Sequence, residues 1–398
     1  MGNGVNKAER IANALDSFSI EIPSWGFANT GTRFGKFLQS AAATTIEEKF
    51  ADAAQVNALT GVNPTLALHV EWDLPNGVAD APVIKQLETK YAIRAGSINP
   101  NLFQAQEYKY GSICNPDPQI RRRALRHLLD CVEIAKRLDA RDISPWVSDG
   151  SNYPGTQSIL NRIVWMEEIL SQTHAALAPN QRLLIEYKPF EPAFYHTDIA
   201  DWGMALELAR SAGTQAFVLV DTGHHYQAQN IEQIVAWLLH LKMLGGFHFN
   251  DRKYADDDLT LGSIDPYQVF RIFHQILSDP LFQSDGSNIA FMIDQSHNLK
   301  GKIEAMVQTV ATAEELYAKA ALIDLEQLAE LQRQAKLVEA EECFRSAFWE
   351  DVRPIVREWR QSRGLPEDPL AALAKSGYIE QITAERAAKN MKAITSYA

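Results

Sequence analysis

The 398-residue chain is 46% hydrophobic and 22% charged, the balance of a folded globular protein with a large core. Its formal net charge of -12, with no basic cluster to offset it, argues against nucleic acid and anionic membrane partners and favours a neutral small molecule. Cys114, Cys131 and Cys343 are too scattered for a disulfide framework or a thiolate zinc site, and with no apolar signal core or membrane-length run in the chain the expected compartment is the cytoplasm.

Taken in chain order, eight short apolar runs read as strands: IEIPSWGF (20–27), TLALHVEW (65–72), AIRAGSIN (92–99), ISPWVSD (143–149), LLIEYK (183–188), AFVLVD (216–221), LGGFHFN (244–250) and IAFMID (289–294). Amphipathic helical stretches separate them. Between 116 and 138, Ala124, Leu128, Cys131, Val132, Ala135 and Leu138 share one helical face. Gly213 suits a C-cap, Asn230 an N-cap, and Asp265 with Pro266 the start of a further helix. Continuous apolar strands alternating with helices imply parallel pairing buried on both faces, and eight such units predict an α/β fold, a (β/α)8 TIM barrel, over residues 1–321. From 322 to 398 the pattern is helical without strand candidates, which predicts a C-terminal helical extension for packing and oligomer contacts.

Barrel enzymes place their chemistry at the C-terminal ends of the strands. Five of the ten histidines fall there: His69, His224, His225, His248 and His297. Glu186, Asp221, His248 and Asp294 end strands five to eight, so three carboxylates and an imidazole converge near the axis. Such an oxygen-rich set suits Mn²⁺ or Mg²⁺ better than tetrahedral zinc. A second group, His224 with Asp256 and Asp258, suits another cation beside the first, although a DDD run equally suits a solvated loop with Asp turn chemistry. Asp251 and Asp257 are expected in that plain loop role. Lys188, two residues after Glu186, would meet a substrate oxygen or neutralise a carboxylate. Trp25, Phe34, Trp72, Phe103 and Trp146 suit the walls of a sugar pocket and equally suit core packing. A P-loop, a G-x-S-x-G elbow, an H-E-x-x-H helix and a dinucleotide fingerprint are all missing.

The motifs PSWGFANTGTRF, YKYGSI, SDGSNYPG, EYKPFEPAFY, DTGHH, GGFHFNDRKYADDDL and MIDQSHN resemble, in order and spacing, the bacterial L-rhamnose isomerase family, in its branch with a broad aldose range. The resemblance runs from about Ile20 through the C-terminal helices. It implies an aldose-ketose isomerase that interconverts L-rhamnose and L-rhamnulose or related sugars, usually as a homotetramer. It also implies two divalent cations per subunit, Mn²⁺ first, with Mg²⁺, Co²⁺ or Zn²⁺ as alternatives. By the same resemblance Glu186, Asp221, His248 and Asp294 hold a structural cation, and His224, Asp256 and Asp258 a catalytic one. The resemblance also gives Lys188 and His69 catalytic roles, His69 against the sugar; from the residues themselves Asp294 is the candidate proton relay, and Trp72, Trp146, Phe34 and Phe103 are the candidate sugar contacts. The chain departs from the family after TGTRF, where GKFLQSAAATTIEEKF replaces a Gly/Pro-rich loop, and in a short N-terminal segment. Rival readings are another sugar isomerase or epimerase on the same barrel, and a metal-dependent phosphodiesterase of the apurinic-site endonuclease type, which the acidic charge disfavours.

Overall fold

A computed structural model describes residues 6–29, 37–191, 195–284, 288–296 and 299–390. Eight parallel strands form one sheet in chain order: β1 (Ile22–Pro23), β2 (Thr65–His69), β3 (Arg94–Asn99), β4 (Asp142–Ile143), β5 (Arg182–Glu186), β6 (Ala216–Asp221), β7 (Leu244–Phe249) and β8 (Ala290–Ile293). The sheet closes on itself where Glu21 pairs with Met292. There the Glu21 amide donates to the Phe291 carbonyl at 2.8 Å, and the Ile293 amide to the Glu21 carbonyl at 2.9 Å. The expected (β/α)8 barrel is therefore present.

All eight expected strands appear, but β1 and β4 are two residues each, far shorter than the apolar runs that announce them. Pro23 and Pro145 explain this, because proline offers no amide to a ladder; after Pro23 the chain turns into a 3-10 segment, Ser24–Phe27. The helix boundaries follow side-chain capping. Asn230 accepts from the Gln233 amide ahead of Ile231–His240, and Asp265 from the Gln268 amide ahead of Pro266–Leu277. Gly213 caps Trp202–Ala212, and the predicted face of Pro118–Leu138 is buried, with Ile134 added to it.

The C-terminal region is helical, as expected. After the barrel helix Lys302–Ala320 come Leu325–Arg333, Leu337–Trp349, Arg353–Ser362, Pro369–Ser376 and Tyr378–Asn390. They lie against the barrel's outer helices and are fixed by buried polar links. Arg360 pairs with Glu314. Arg386 grips both Asp52 carboxylate oxygens, at 2.8 and 2.9 Å, and donates to the Ala41 carbonyl. Asn390 reaches the Ser40 and Ala42 carbonyls and, through its own oxygen, Asn29. The last helix thus holds the segment that follows β1 at the barrel mouth. No helix among the described residues is long and apolar enough to cross a membrane.

Candidate active site and metal centre

Alternate side chains of a strand face the barrel interior. The interior layer consists of Leu184, Leu219 and Met292, with Phe217 and Ala290 against them. One inward step further along the same strands come Glu186 on β5, Asp221 on β6 and Asp294 just past β8. On β7, His248 stands in register with both Asp221 and Met292, so it too faces inward. The period of two that builds an apolar layer therefore delivers four ligand-type side chains to one level at the top.

Two compact donor groups result, each with its ligating atoms within 4.8 Å of one another: Glu186, Asp221, His248 and Asp294; and Asp221, His224 and Asp256. Asp221 belongs to both. His248 Nδ1 lies 3.3 Å from Glu186 Oε2 and 4.0 Å from Asp294 Oδ2. His224 Nε2 lies 3.2 Å from Asp256 Oδ2 and 3.7 Å from Asp221 Oδ2. His224 Nδ1 is 2.9 Å from the Tyr187 carbonyl and 3.2 Å from Glu186 Oε1; both only accept, so Nδ1 carries the proton and the ring turns Nε2 to Asp221 and Asp256, the orientation a metal-binding imidazole needs. Gly223 is required between them. A Cβ there would sit 2.7 Å from both Asn250 Oδ1 and Asp256 Oδ1.

The electrostatics favour added positive charge. Burial raises the Asp221 carboxyl to about 7, and the nearby Asp256, Glu186 and Asp294 add to the rise that His224 opposes. Burial pulls His224 down, but Asp221 and Asp256 overcome it and lift the imidazole to about 10. His248 is likewise lowered by burial and carried up to about 9 by Glu186, Asp294 and Asp221. Four carboxylates crowd two imidazoles in a space with almost no solvent. Among the described residues Asp221 Oδ2 is buried without a hydrogen-bond partner, which is costly for a polar atom and is relieved by coordination to a cation. The residues present fit divalent cations in both groups.

Above the donors lies a cavity of about 120 Å³, lined by Trp25, His69, Trp72, Phe103, Trp146, Lys188 and the acidic cluster, with Asn99, Ser144 and Ser296 among its polar groups. Its aromatic wall is continuous: His69 stacks on Trp72 at 3.7 Å, and Phe103 lies 5.6 Å from His69 and 4.9 Å from Trp146. Burial lowers His69 to about 4, so the ring is neutral near pH 7. Its Nδ1 is 2.9 Å from the Val70 carbonyl, which leaves Nε2 as an acceptor. The His69 backbone is held by Asp73, whose carboxylate also takes Lys49 at 2.6 Å and the Ser24 hydroxyl. Lys188 Nζ pairs with Asp256 Oδ2 at 2.9 Å and lies 4.8 Å from the Trp146 ring centroid.

Most candidates named from sequence meet here. Asp258 lines the cavity, but the chain from 256 to 258 is not a strand and Asp258 has φ +49°, so no extended run sends the Asp256 and Asp258 carboxylates to one side. Asp221 takes the third place in the compact second group. Phe34 and His297 lie outside the described residues. Asp251 and Asp257 have the expected loop roles: Asp251 accepts from the Ile264 and Asp265 amides, and Asp257 from those of Lys253 and Tyr254. Asp149 is structural, accepting from Ser112 and Cys114. Sequence reasoning put Trp25 in the pocket wall, which it lines, but missed the bond its indole donates to Asp294 Oδ1 at 2.8 Å across 269 positions, and the Lys49–Asp73 support of His69. Lys49, a charged residue on the helix side that also carries Phe50, Ala53 and Val56, was the available signal for the latter.

Residues 51–281 match a family described as xylose isomerase-like TIM barrel. A protein of Mesorhizobium japonicum named "probable sugar isomerase" is 37% identical over 385 residues, covering 96% of this chain and 89% of that protein. Another so named from Rhizobium meliloti is 38% identical over the same shares. Among solved structures, a 3-keto-D-glucoside 4-epimerase from E. coli aligns with TM-score 0.54 at 12% identity, over 74% of this chain and 98% of that one. An L-ribulose 3-epimerase aligns with TM-score 0.54 at 13% identity, over 81% and 98%. These last two are likenesses of fold.

Proposed function

The chain belongs to the xylose isomerase-like TIM barrel family, and we propose that it is a metal-dependent aldose-ketose isomerase, acting on L-rhamnose and L-rhamnulose or a related sugar by hydrogen transfer between C1 and C2. The observation that carries this reading is the pair of donor groups joined at Asp221, beneath a sugar-sized cavity with aromatic walls. The names borne by the two relatives, which align over nearly the whole chain, support the isomerase class. The sequence motifs support the L-rhamnose isomerase branch.

In this proposal Glu186, Asp221, His248 and Asp294 hold one divalent cation, and His224, Asp256 and Asp258 the other, with Mn²⁺ first among Mn²⁺, Mg²⁺, Co²⁺ and Zn²⁺. Bound cations supply Lewis acidity, stabilising negative charge that develops on the C1 and C2 oxygens. The chain's own groups do the rest. Trp72, Phe103 and Trp146, with Phe34, present aromatic faces to the sugar's C–H surface and keep water out. His69 Nε2, turned inward by the Nδ1 bond to Val70, accepts a sugar hydroxyl proton and assists ring opening. Lys188 Nζ, oriented by Asp256, donates to the oxygen at the reacting carbons. Asp294, tethered by Trp25, is placed to relay a proton between neighbouring hydroxyls. The assembly is a homotetramer in the cytoplasm, with Leu337, Val338 and Trp349, exposed on the helical extension, available to subunit contacts.

The test is to strip the protein of metal and incubate it with L-rhamnose and a panel of other aldoses and ketoses, adding each of the four cations separately. The expected result is a ketose from L-rhamnose or a close relative. An epimer in place of a ketose reassigns the reaction, and no conversion of any sugar with any cation removes the proposal. Deuterium placed at C2 of the aldose then reads the route: label retained at C1 indicates a hydride shift, and complete loss to solvent an enediol.

A further inference from the structure

A second cavity, of about 270 Å³, adjoins the first. Lys188 and His224 line both, and the outer part of the side cavity is built from Tyr226, Arg252, Lys253 and Tyr254. Arg252 is only 8% exposed. Its Nε donates to the His225 carbonyl at 2.7 Å and its Nη2 to the Tyr226 carbonyl at 2.9 Å, which fixes the plane of the guanidinium. Its remaining terminal nitrogen, Nη1, has no hydrogen-bond partner among the described residues.

A buried guanidinium normally has a carboxylate beside it, because removing the charge from water is costly. Arg252 has none among the described residues. Asp251, Asp221, Asp265 and Asp257 act on it only through space, and Asp251 and Asp257, the nearest in sequence, each have a carboxylate oxygen held by a pair of backbone amides. Lys253 adds a second cation, its ammonium 5.5 Å from the Tyr254 ring centroid. Of the cavity's charged groups, Lys188 and His224 both lie against Asp256, at 2.9 and 3.2 Å, whereas the charged ends of Arg252 and Lys253 have no carboxylate in contact among the described residues. A fixed fork, an exposed ammonium and two phenols around a small cavity are the elements that recognise a compact oxyanion.

We propose that this cavity binds a small oxyanion of the phosphate class, held by Arg252 Nη1 and the Lys253 ammonium. The site stands apart from the sugar cavity and shares only the Lys188 and His224 wall with it. Binding is read without turnover, so its failure is distinct from any failure of the isomerase assignment.

Calorimetric titration of the full-length protein, as purified and metal-loaded, with inorganic phosphate at constant ionic strength tests it, beside ribose 5-phosphate and ribose. Lys253→Met and Arg252→Gln are the variants. Lys253 is exposed, so its replacement leaves the fold intact, which the melting temperature checks. The expected result is saturable binding at one site that weakens on the order of tenfold in Lys253→Met, the loss of one charge-assisted contact, and by more in Arg252→Gln. Ribose 5-phosphate binding more tightly than phosphate, with the same dependence on Lys253, identifies a phosphorylated sugar as the ligand; equal affinities identify the free ion. No saturable binding, or affinity unchanged in Lys253→Met, overturns the proposal.

Discussion

Replacing Lys302 by Met should make the protein more stable. Lys302 opens the barrel helix Lys302–Ala320 yet is 3% exposed, and its ammonium has no hydrogen-bond partner among the described residues. Burial pulls it down from 10.5 to about 8. At pH 7 both folded and unfolded chains hold the proton, so the fold carries the whole cost of burying the charge. A fall from 10.5 to about 8 corresponds to roughly 3 kcal/mol at about 1.36 kcal/mol per pH unit. The positive end of the helix dipole acts in the same direction. Methionine keeps the length of the stem without the charge, so Lys302→Met should gain about 2–3 kcal/mol at pH 7. Between about pH 8 and 10.5 the unfolded chain holds a proton that the folded one has released. Wild-type stability therefore gains a rising contribution with pH across that window, and the variant lacks it. Urea unfolding at pH 7 and pH 10 measures both effects. A variant less stable at pH 7, with the same pH slope as wild type, would refute the reasoning and reveal a partner for the ammonium.

Three further outcomes follow from the contacts described. Arg386→Met removes one partner of a buried bidentate pair and leaves Asp52 uncompensated, a loss of about 3–5 kcal/mol that should free the last helix to limited proteolysis; an unchanged melting temperature and digestion pattern would contradict it. Asp258→Asn should leave the fold and melting intact and remove most isomerase activity, and unchanged turnover would dismiss a second cation site that includes this residue. Trp72→Ala removes the ring stacked on His69 and should raise the sugar KM about tenfold, from about 1–1.5 kcal/mol of lost stacking and burial; a KM that does not move takes Trp72 out of the sugar wall.

The metal-ligand candidates on strands five to eight were legible because a strand's alternation is rigid. In LLIEYK, Leu184 and Glu186 share a face, and the same offset relates Leu219 to Asp221 and Met292 to Asp294, so finding the strand already aims the carboxylate. Loop residues lack such a rule. Nothing local announces that Asp258 takes a left-handed conformation, or that Asp221 serves both donor groups. The buried links that orient the site are also long-range: Trp25 to Asp294 spans 269 positions and Arg386 to Asp52 spans 334. Only the closed barrel brings these partners together. The positive side cavity stayed hidden for a similar reason, since Arg252 and Lys253 are two cations in an acidic stretch, and only the fold shows that Asp251 and Asp257 are turned to backbone amides.

In the proposed enzyme two adjacent donor groups, joined at Asp221, hold the cations that isomerise the sugar. The most direct test of this is to titrate metal-stripped protein with Mn²⁺ while following both bound metal and conversion of the preferred aldose. Activity should appear fully only as a second equivalent binds per chain, and Glu186→Gln, which alters a carboxylate within 3.3 Å of both His224 and His248, should weaken metal retention. Full activity in the stripped protein, or saturation of activity at one equivalent, would contradict it.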